Sequence, residues 1–164
     1  MSAATTPGSA SVSSPSTDGR LVRHGEGEVH PVMGDPMRFI ATAAHTGGAY
    51  ALAEQTVRPG NGAPPHIHHN EDETLYILDG EFEAVVNDTL HRLKQGDFVH
   101  VPRGAVRSFT NAGPRDGRLL IHHCPGSASA FYIAMGKLPF PPKLEDIVAI
   151  GQRHGIEVVL PKKA

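Results

Sequence analysis

The sequence predicts an all-β sandwich or barrel that ends in one helix. Between residues 38 and 124 the chain divides into short runs that are apolar or alternate between apolar and polar residues, each closed by a turn. Eighteen glycines and fourteen prolines in 164 residues supply those turns, and aromatic residues make up only 5%. Near the end the pattern changes, with Leu144, Ile147, Val148 and Gly151 recurring at helical spacing.

In chain order, residues 1–19 are Ser/Thr/Ala-rich and aperiodic and are expected to form a disordered tail, with residues 20–164 as a single domain. Arg38–Thr42 is a short strand. Ala49–Val57 is longer, with Tyr50, Leu52, Glu54 and Thr56 on one face. Pro59-Gly60 and Pro64-Pro65 punctuate a loop, Thr74–Leu78 is a strand, and Asp79-Gly80 is a hairpin turn. Strands follow over Glu81–Val86, Thr89–Leu93, Phe98–Val101, Arg107–Asn111 and Leu119–Cys124, separated by Asn87-Asp88, Gln95-Gly96-Asp97, Pro102-Arg103-Gly104 and Ala112-Gly113-Pro114. Pro125-Gly126 closes the last of them. Pro141-Pro142 precede a helix over Leu144–His154, Gly155 is its C-cap, and Ile156–Leu160 forms a final strand.

Composition narrows the function. A net charge of −2 with neutral histidines offers no electrostatic basis for binding nucleic acid or an anionic membrane. Cys124 is the only cysteine, so no intrachain disulfide forms and a cytoplasmic setting is expected, with Cys124 itself as a small buried hydrophobe. No apolar run reaches the roughly 20 residues of a membrane span, and the N-terminus lacks the basic start and apolar stretch of a signal peptide. A Ser elbow, a phosphate-cradling Gly loop and a CxxC pair are all missing.

Chemistry is concentrated in Gly60-Asn-Gly-Ala-Pro-Pro-His66-Ile-His68-His-Asn-Glu-Asp-Glu73. Residues two apart on a strand share a face, so His66 and His68 aim both imidazoles at one point. Glu73 joins them if the chain turns once and returns alongside. Two imidazoles and a carboxylate suit a divalent transition metal.

The same stretch resembles the first signature of the cupin superfamily, G-x5-H-x-H-x4-E-x6-G, with Gly60, His66, His68, Glu73 and Gly80 at its spacing. The second signature, G-x5-P-x-G-x2-H-x3-N, is met by Gly96, Pro102, Gly104 and Asn111, but Arg107 stands at its histidine. The resemblance covers about Val32 to Met135 and is nearest to small bacterial quercetin-dioxygenase-like cupins. It implies a double-stranded β-helix, or jelly-roll barrel. It also implies a metal centre (Fe, Mn, Ni, Cu or Zn) on His66, His68 and Glu73, and a homodimer. Arginine has no lone pair for a cation, so Arg107 is not the fourth ligand.

Three accounts of Arg107 stay open. In one, three ligands hold the metal and Arg107 binds an anionic substrate group. In another, His122 or His123 completes the shell. In the last, the metal is gone and Arg107 pairs with Glu73. Tyr50, Glu54, Arg107, Phe109 and His122 are the expected substrate-pocket residues, and Glu73 and Arg107 the expected catalytic ones. Gly60, Gly80, Gly96 and Gly104 are read as turn residues and His100 as outward-facing. The resemblance implies a metal-dependent, dioxygenase-like oxidoreductase acting on a small, largely apolar oxygenated molecule of the aromatic or polyketide-derived kind. A non-redox cyclase or isomerase and a metal-free ligand-binding protein are the alternatives.

Overall fold

The computed structural model describes residues 18–160. Eleven strands among them form two antiparallel sheets. The first runs, in spatial order, β1 (Glu28–Val32), β2 (Asp35–Ala41), β3 (Ala51–Val57), β10 (Gly117–Cys124), β5 (Asp72–Asp79) and β8 (Phe98–Val101). The second runs β11 (Ile156–Val158), β4 (Gly62–His68), β9 (Val106–Asn111), β6 (Glu81–Val86) and β7 (Thr89–Lys94). Sequence neighbours are repeatedly separated in space, as in the jelly roll the resemblance implies. Helices α1 (Ala43–Thr46), α2 (Ala128–Met135) and α3 (Leu144–His154) complete the chain.

The strands follow the period-two rule. In β3, Ala51, Ala53, Gln55 and Val57 are buried, while Leu52, Glu54 and Thr56 are half-buried on the far face. Strand β10 buries Leu119, Ile121 and His123, and β5 buries Glu73, Leu75 and Ile77. The inward residues form layers. Ile77, Leu119, Val57, Phe82 and Phe109 make an apolar end, and His66, His68, Glu73, Arg107 and His123 make a polar one. Cross-strand register sets both, because Glu73 lies opposite His123 and His66 opposite Arg107.

Helix α3 forms over the residues its periodicity indicates and ends at Gly155, whose φ of 71° is the left-handed cap conformation. Gly80 turns the β5–β6 hairpin at φ 89°. Several expectations need correction. Pro64 and Pro65 lie within β4, not in a loop, at a register irregularity between Ala63 and His66 that frees the strand from needing their missing N–H groups. Strand β2 begins at Asp35, three residues earlier than expected, and β1, α1 and α2 were not anticipated. Cys124 is exposed, because it follows the inward His123 at the strand end. The expected tail at residues 1–19 lies almost wholly outside the described residues.

Asn111 explains one position of the second signature. Its buried side chain donates to the carbonyls of Val57 and Arg115, both at 2.8 Å, and accepts from the Gly113 N–H at 2.9 Å. It ties β9 to the end of β3 and to the following turn. Asn111→Ala should therefore remove the side-chain bonds to the Val57 and Arg115 carbonyls and lower folding stability by about 1–3 kcal/mol in urea denaturation, with His66 and His68 untouched.

Candidate metal centre

His66 and His68 project inward from β4, and Glu73 projects inward from the start of β5. One ligating atom from each lies within 4.8 Å of the others, and all three residues are buried. Each imidazole is oriented from behind. His66 Nδ1 lies 2.8 Å from the Pro64 carbonyl, so it carries the proton and leaves Nε2 as acceptor. His68 Nδ1 lies 3.3 Å from Glu71 Oε2, with both side chains fully buried. Glu71 in turn accepts a short hydrogen bond from Ser127 Oγ. A carboxylate that fixes a histidine's tautomer in this way is a common second partner at metal sites.

Glu73 is held by His123, whose Nε2 lies 2.8 Å from Oε2. The His123 ring stacks on His68 with centroids 5.0 Å apart and planes 19° apart. Of the two histidines in doubt, His123 is thus the inward one, and its Nε2 hydrogen-bonds the carboxylate. His122 points outward and packs against Tyr50 at 5.7 Å. Arg107 is 2% exposed. It donates through Nη2 to the Pro102 carbonyl at 2.8 Å, and its Nε lies 3.4 Å from the Ala105 carbonyl. Nη1 stands 3.9 Å from Glu73 Oε1 and has no hydrogen-bond partner among the described residues. Arg107 therefore forms a loose ion pair with Glu73 and presents a buried donor group that has no hydrogen-bond partner among the described residues.

The other expected pocket residues lie elsewhere. Tyr50 is 41% exposed. Glu54 is on the outer face of β3, 2.6 Å from Arg38 Nη2 and 3.4 Å from Arg118 Nη1. Tyr50, Glu54 and His122 share that outer face because β3 and β10 present alternate residues to it. Phe109 does share the inward face with Arg107, but it packs against Phe82 at 6.3 Å in the apolar end. His100 is exposed, as expected. Glu71, Ser127 and Tyr132 were missed. Parity with Glu73 could have revealed Glu71. The run Ala-Phe-Tyr-Ile-Ala-Met after Ser129 could have revealed α2.

Tyr132 closes the centre from α2. Its hydroxyl lies 3.3 Å from His68 Nε2, and its ring packs on His123 at 5.4 Å. Beside it lies a cavity of about 60 Å³ walled by α2, Ile147 of α3 and residues of β1, β4 and β11. His66 and Tyr132 are the polar residues of its wall, and Met33, Phe131, Met135 and Ile147 are among the apolar ones.

Burial governs the ionisation. It lowers the His66 pKa to about 4 and lowers that of His68 as well. For Glu73 burial acts upward, but the hydrogen bond from His123 and the adjacent imidazoles outweigh it and hold the carboxyl well below its usual range. Burial, with Glu73 nearby, raises the Tyr132 phenol. Neutral imidazoles with bare Nε2 atoms beside an ionised carboxylate fit a divalent cation. The two carboxylates and one guanidinium of the cluster leave one formal negative charge for it to offset.

A jelly roll with two histidines and a glutamate converging inside one end defines a class of β-barrel proteins with a candidate metal centre. The cupin domain family model matches residues 53–123, a span that contains all five inward polar residues, and over that span the chain is similar to the cupin superfamily. It is similar to quercetin 2,3-dioxygenase of Bacillus subtilis (strain 168), being 26% identical over 116 residues that cover 71% of this chain and 34% of that protein. It is also similar to protein SchB of Streptomyces halstedii, 33% identical over 84 residues that cover 51% of this chain and 59% of the relative. The chain spans less than two thirds of either. Among solved structures, a predicted oxalate decarboxylase from Thermotoga maritima is 25% identical with a TM-score of 0.58, covering 65% of this chain and 99% of that one. No helix among the described residues is long and apolar enough to cross a membrane.

The depressed His66 pKa makes stability pH-dependent. Unfolded chains take up a proton at this residue below about 6.5, whereas the folded protein resists until about 4. Metal-free protein should therefore lose roughly 3 kcal/mol from this group as pH falls through that window. Glu73, whose folded pKa is depressed, adds a loss that begins only below about 4.5. Urea unfolding across a pH series checks this, and His66→Gln should flatten the upper part of the curve.

Proposed function

We propose that the protein is a metal-dependent oxidoreductase, dioxygenase-like, acting on a small, largely apolar oxygenated molecule. The observation that carries this reading is the convergence of His66, His68 and Glu73 within 4.8 Å, buried and pre-oriented, beside an apolar cavity. Similarity to a quercetin 2,3-dioxygenase supports it. His66, His68 and Glu73 would hold one Fe, Mn, Ni, Cu or Zn ion, which supplies Lewis acidity and, if redox-active, electron exchange with substrate and oxygen.

The chain's own groups account for the rest. Pro64 and Glu71 hold both imidazoles in the ligating tautomer, and His123 fixes the Glu73 rotamer. Arg107 Nη1 is a buried donor aimed at the centre and would take an enolate, phenolate or carboxylate oxygen of the substrate. Met33, Phe131, Met135 and Ile147 receive an apolar body and exclude water. A drug-sized ligand fills several hundred Å³, so a substrate of that size requires α2 and α3 to yield.

The unpaired Arg107 donor beside Glu73 favours a second reading, a non-redox cyclase or isomerase that stabilises an enolate while a carboxylate moves a proton. Oxygen uptake separates the two: the oxidoreductase consumes O₂ with flavonols or hydroxylated aromatics, and the isomerase turns over without it.

Protein purified without an affinity tag should contain near-stoichiometric transition metal by elemental mass spectrometry, and His66→Ala or His68→Ala should each remove it. Protein that carries no metal and takes up none of the five ions would refute the reading. Arg107→His removes a positive charge and adds a ligand, so metal affinity should rise on the order of 10- to 100-fold in chelator competition.

A further inference from the structure

One helix restrains both ring nitrogens of His68. Nδ1 lies 3.3 Å from Glu71, which is anchored to Ser127 immediately before α2. Nε2 lies 3.3 Å from the hydroxyl of Tyr132, in the second turn of α2. A carboxylate only accepts, so the imidazole proton sits on Nδ1 and Nε2 is a bare lone pair that the Tyr132 O–H fills. With Nδ1 engaged by Glu71, that lone pair is also what His68 has left to offer a cation. It serves one partner at a time.

We propose that Tyr132 is a positioning residue that competes with the metal ion for Nε2 of His68, so that metal loading frees the Tyr132 hydroxyl and loosens α2 at that point while Ser127 still holds its start. The inference rests on the metal-binding reading above. Its consequence reaches the cavity, because α2 supplies Phe131, Tyr132 and Met135 to the wall. The freed O–H stands where the apolar wall meets the centre, and the wall's other polar group is His66. A substrate oxygen arriving from that side meets a phenol donor that is no longer engaged. The coupling is reciprocal: a ligand that moves the second turn of α2 outward relieves the competition and tightens metal binding.

Tyr132→Phe keeps the ring that packs on His123 and His68 and removes only the competing hydroxyl. In Zn(II) and Mn(II) titrations of tag-free, chelator-stripped protein against a chromophoric chelator, Tyr132→Phe should bind about 2- to 10-fold more tightly than wild type, the size of one net hydrogen bond. A purely structural role for the hydroxyl would not raise affinity. The chain has no tryptophan and three tyrosines, and Tyr50 and Tyr76 are each 41% exposed, so near-ultraviolet circular dichroism reports chiefly on Tyr132. Adding Zn(II) should change that signal in wild type and leave it unchanged in Tyr132→Phe. If the variant fails to fold, the wild-type signal decides alone. Equal or weaker affinity in Tyr132→Phe, or a wild-type signal that does not respond as metal binds, overturns the proposal and leaves the metal reading standing. Wild-type protein that takes up none of Fe, Mn, Ni, Cu or Zn in the same titration overturns both.

Discussion

Glu73 and His123 meet at 2.8 Å across the middle of the larger sheet, and the polar end of the barrel is organised around that contact. An ionised carboxylate removed from water is tolerated only when donors and opposite charge surround it. Here the donor is His123, the nearby cation is Arg107, and the two β4 histidines complete the surroundings. His66 and Arg107 are held in turn by backbone carbonyls, His68 by a second carboxylate, and His123 by ring contacts with His68 and Tyr132. The Nη1 of Arg107 has no hydrogen-bond partner among the described residues.

Arg107 shows how a single substitution within a signature changes a site while keeping the fold. The register that places residue 107 opposite His66 belongs to the β4–β9 ladder and is indifferent to the side chain carried there. An imidazole at that position could ligate. A guanidinium instead reaches to the carbonyls of Pro102 and Ala105, which hold its charge about one van der Waals contact from Glu73. The same pleat therefore sets three residues that could hold a metal ion beside a buried donor group.

Helix α2 lies beyond the last residue matched by the cupin domain, yet it closes the site. Ser127 anchors Glu71, Tyr132 reaches His68, and Phe131 and Met135 wall the cavity. The barrel supplies the charged groups and the C-terminal extension supplies the apolar surface. The candidate site is thus built from two parts of the chain that meet only in the folded protein.

Much was legible in the sequence because local rules decide it. Turn residues and alternation located most strands. Helix α3 was marked by its apolar spacing and by Gly155, and the His-x-His pair and Glu73 were marked by parity and one hairpin return. What sequence could not decide was which face of β3 and β10 looks inward. Alternation fixes that Tyr50, Glu54 and Thr56 share a side, but a pattern of period two reads equally well in either phase. Only the pairing of β10 with both β3 and β5 turned Ala51, Ala53 and His123 toward the core and left Tyr50, Glu54 and His122 on the outside. By itself the sequence determined the jelly roll and the convergence of His66, His68 and Glu73, which are near one another along the chain. Tertiary structure alone brought Ser127, Tyr132 and His123 around them, because contacts across 50 or more residues, such as His123 with Glu73 and Tyr132 with His68, arise from sheet register and helix docking and leave no local periodicity to read.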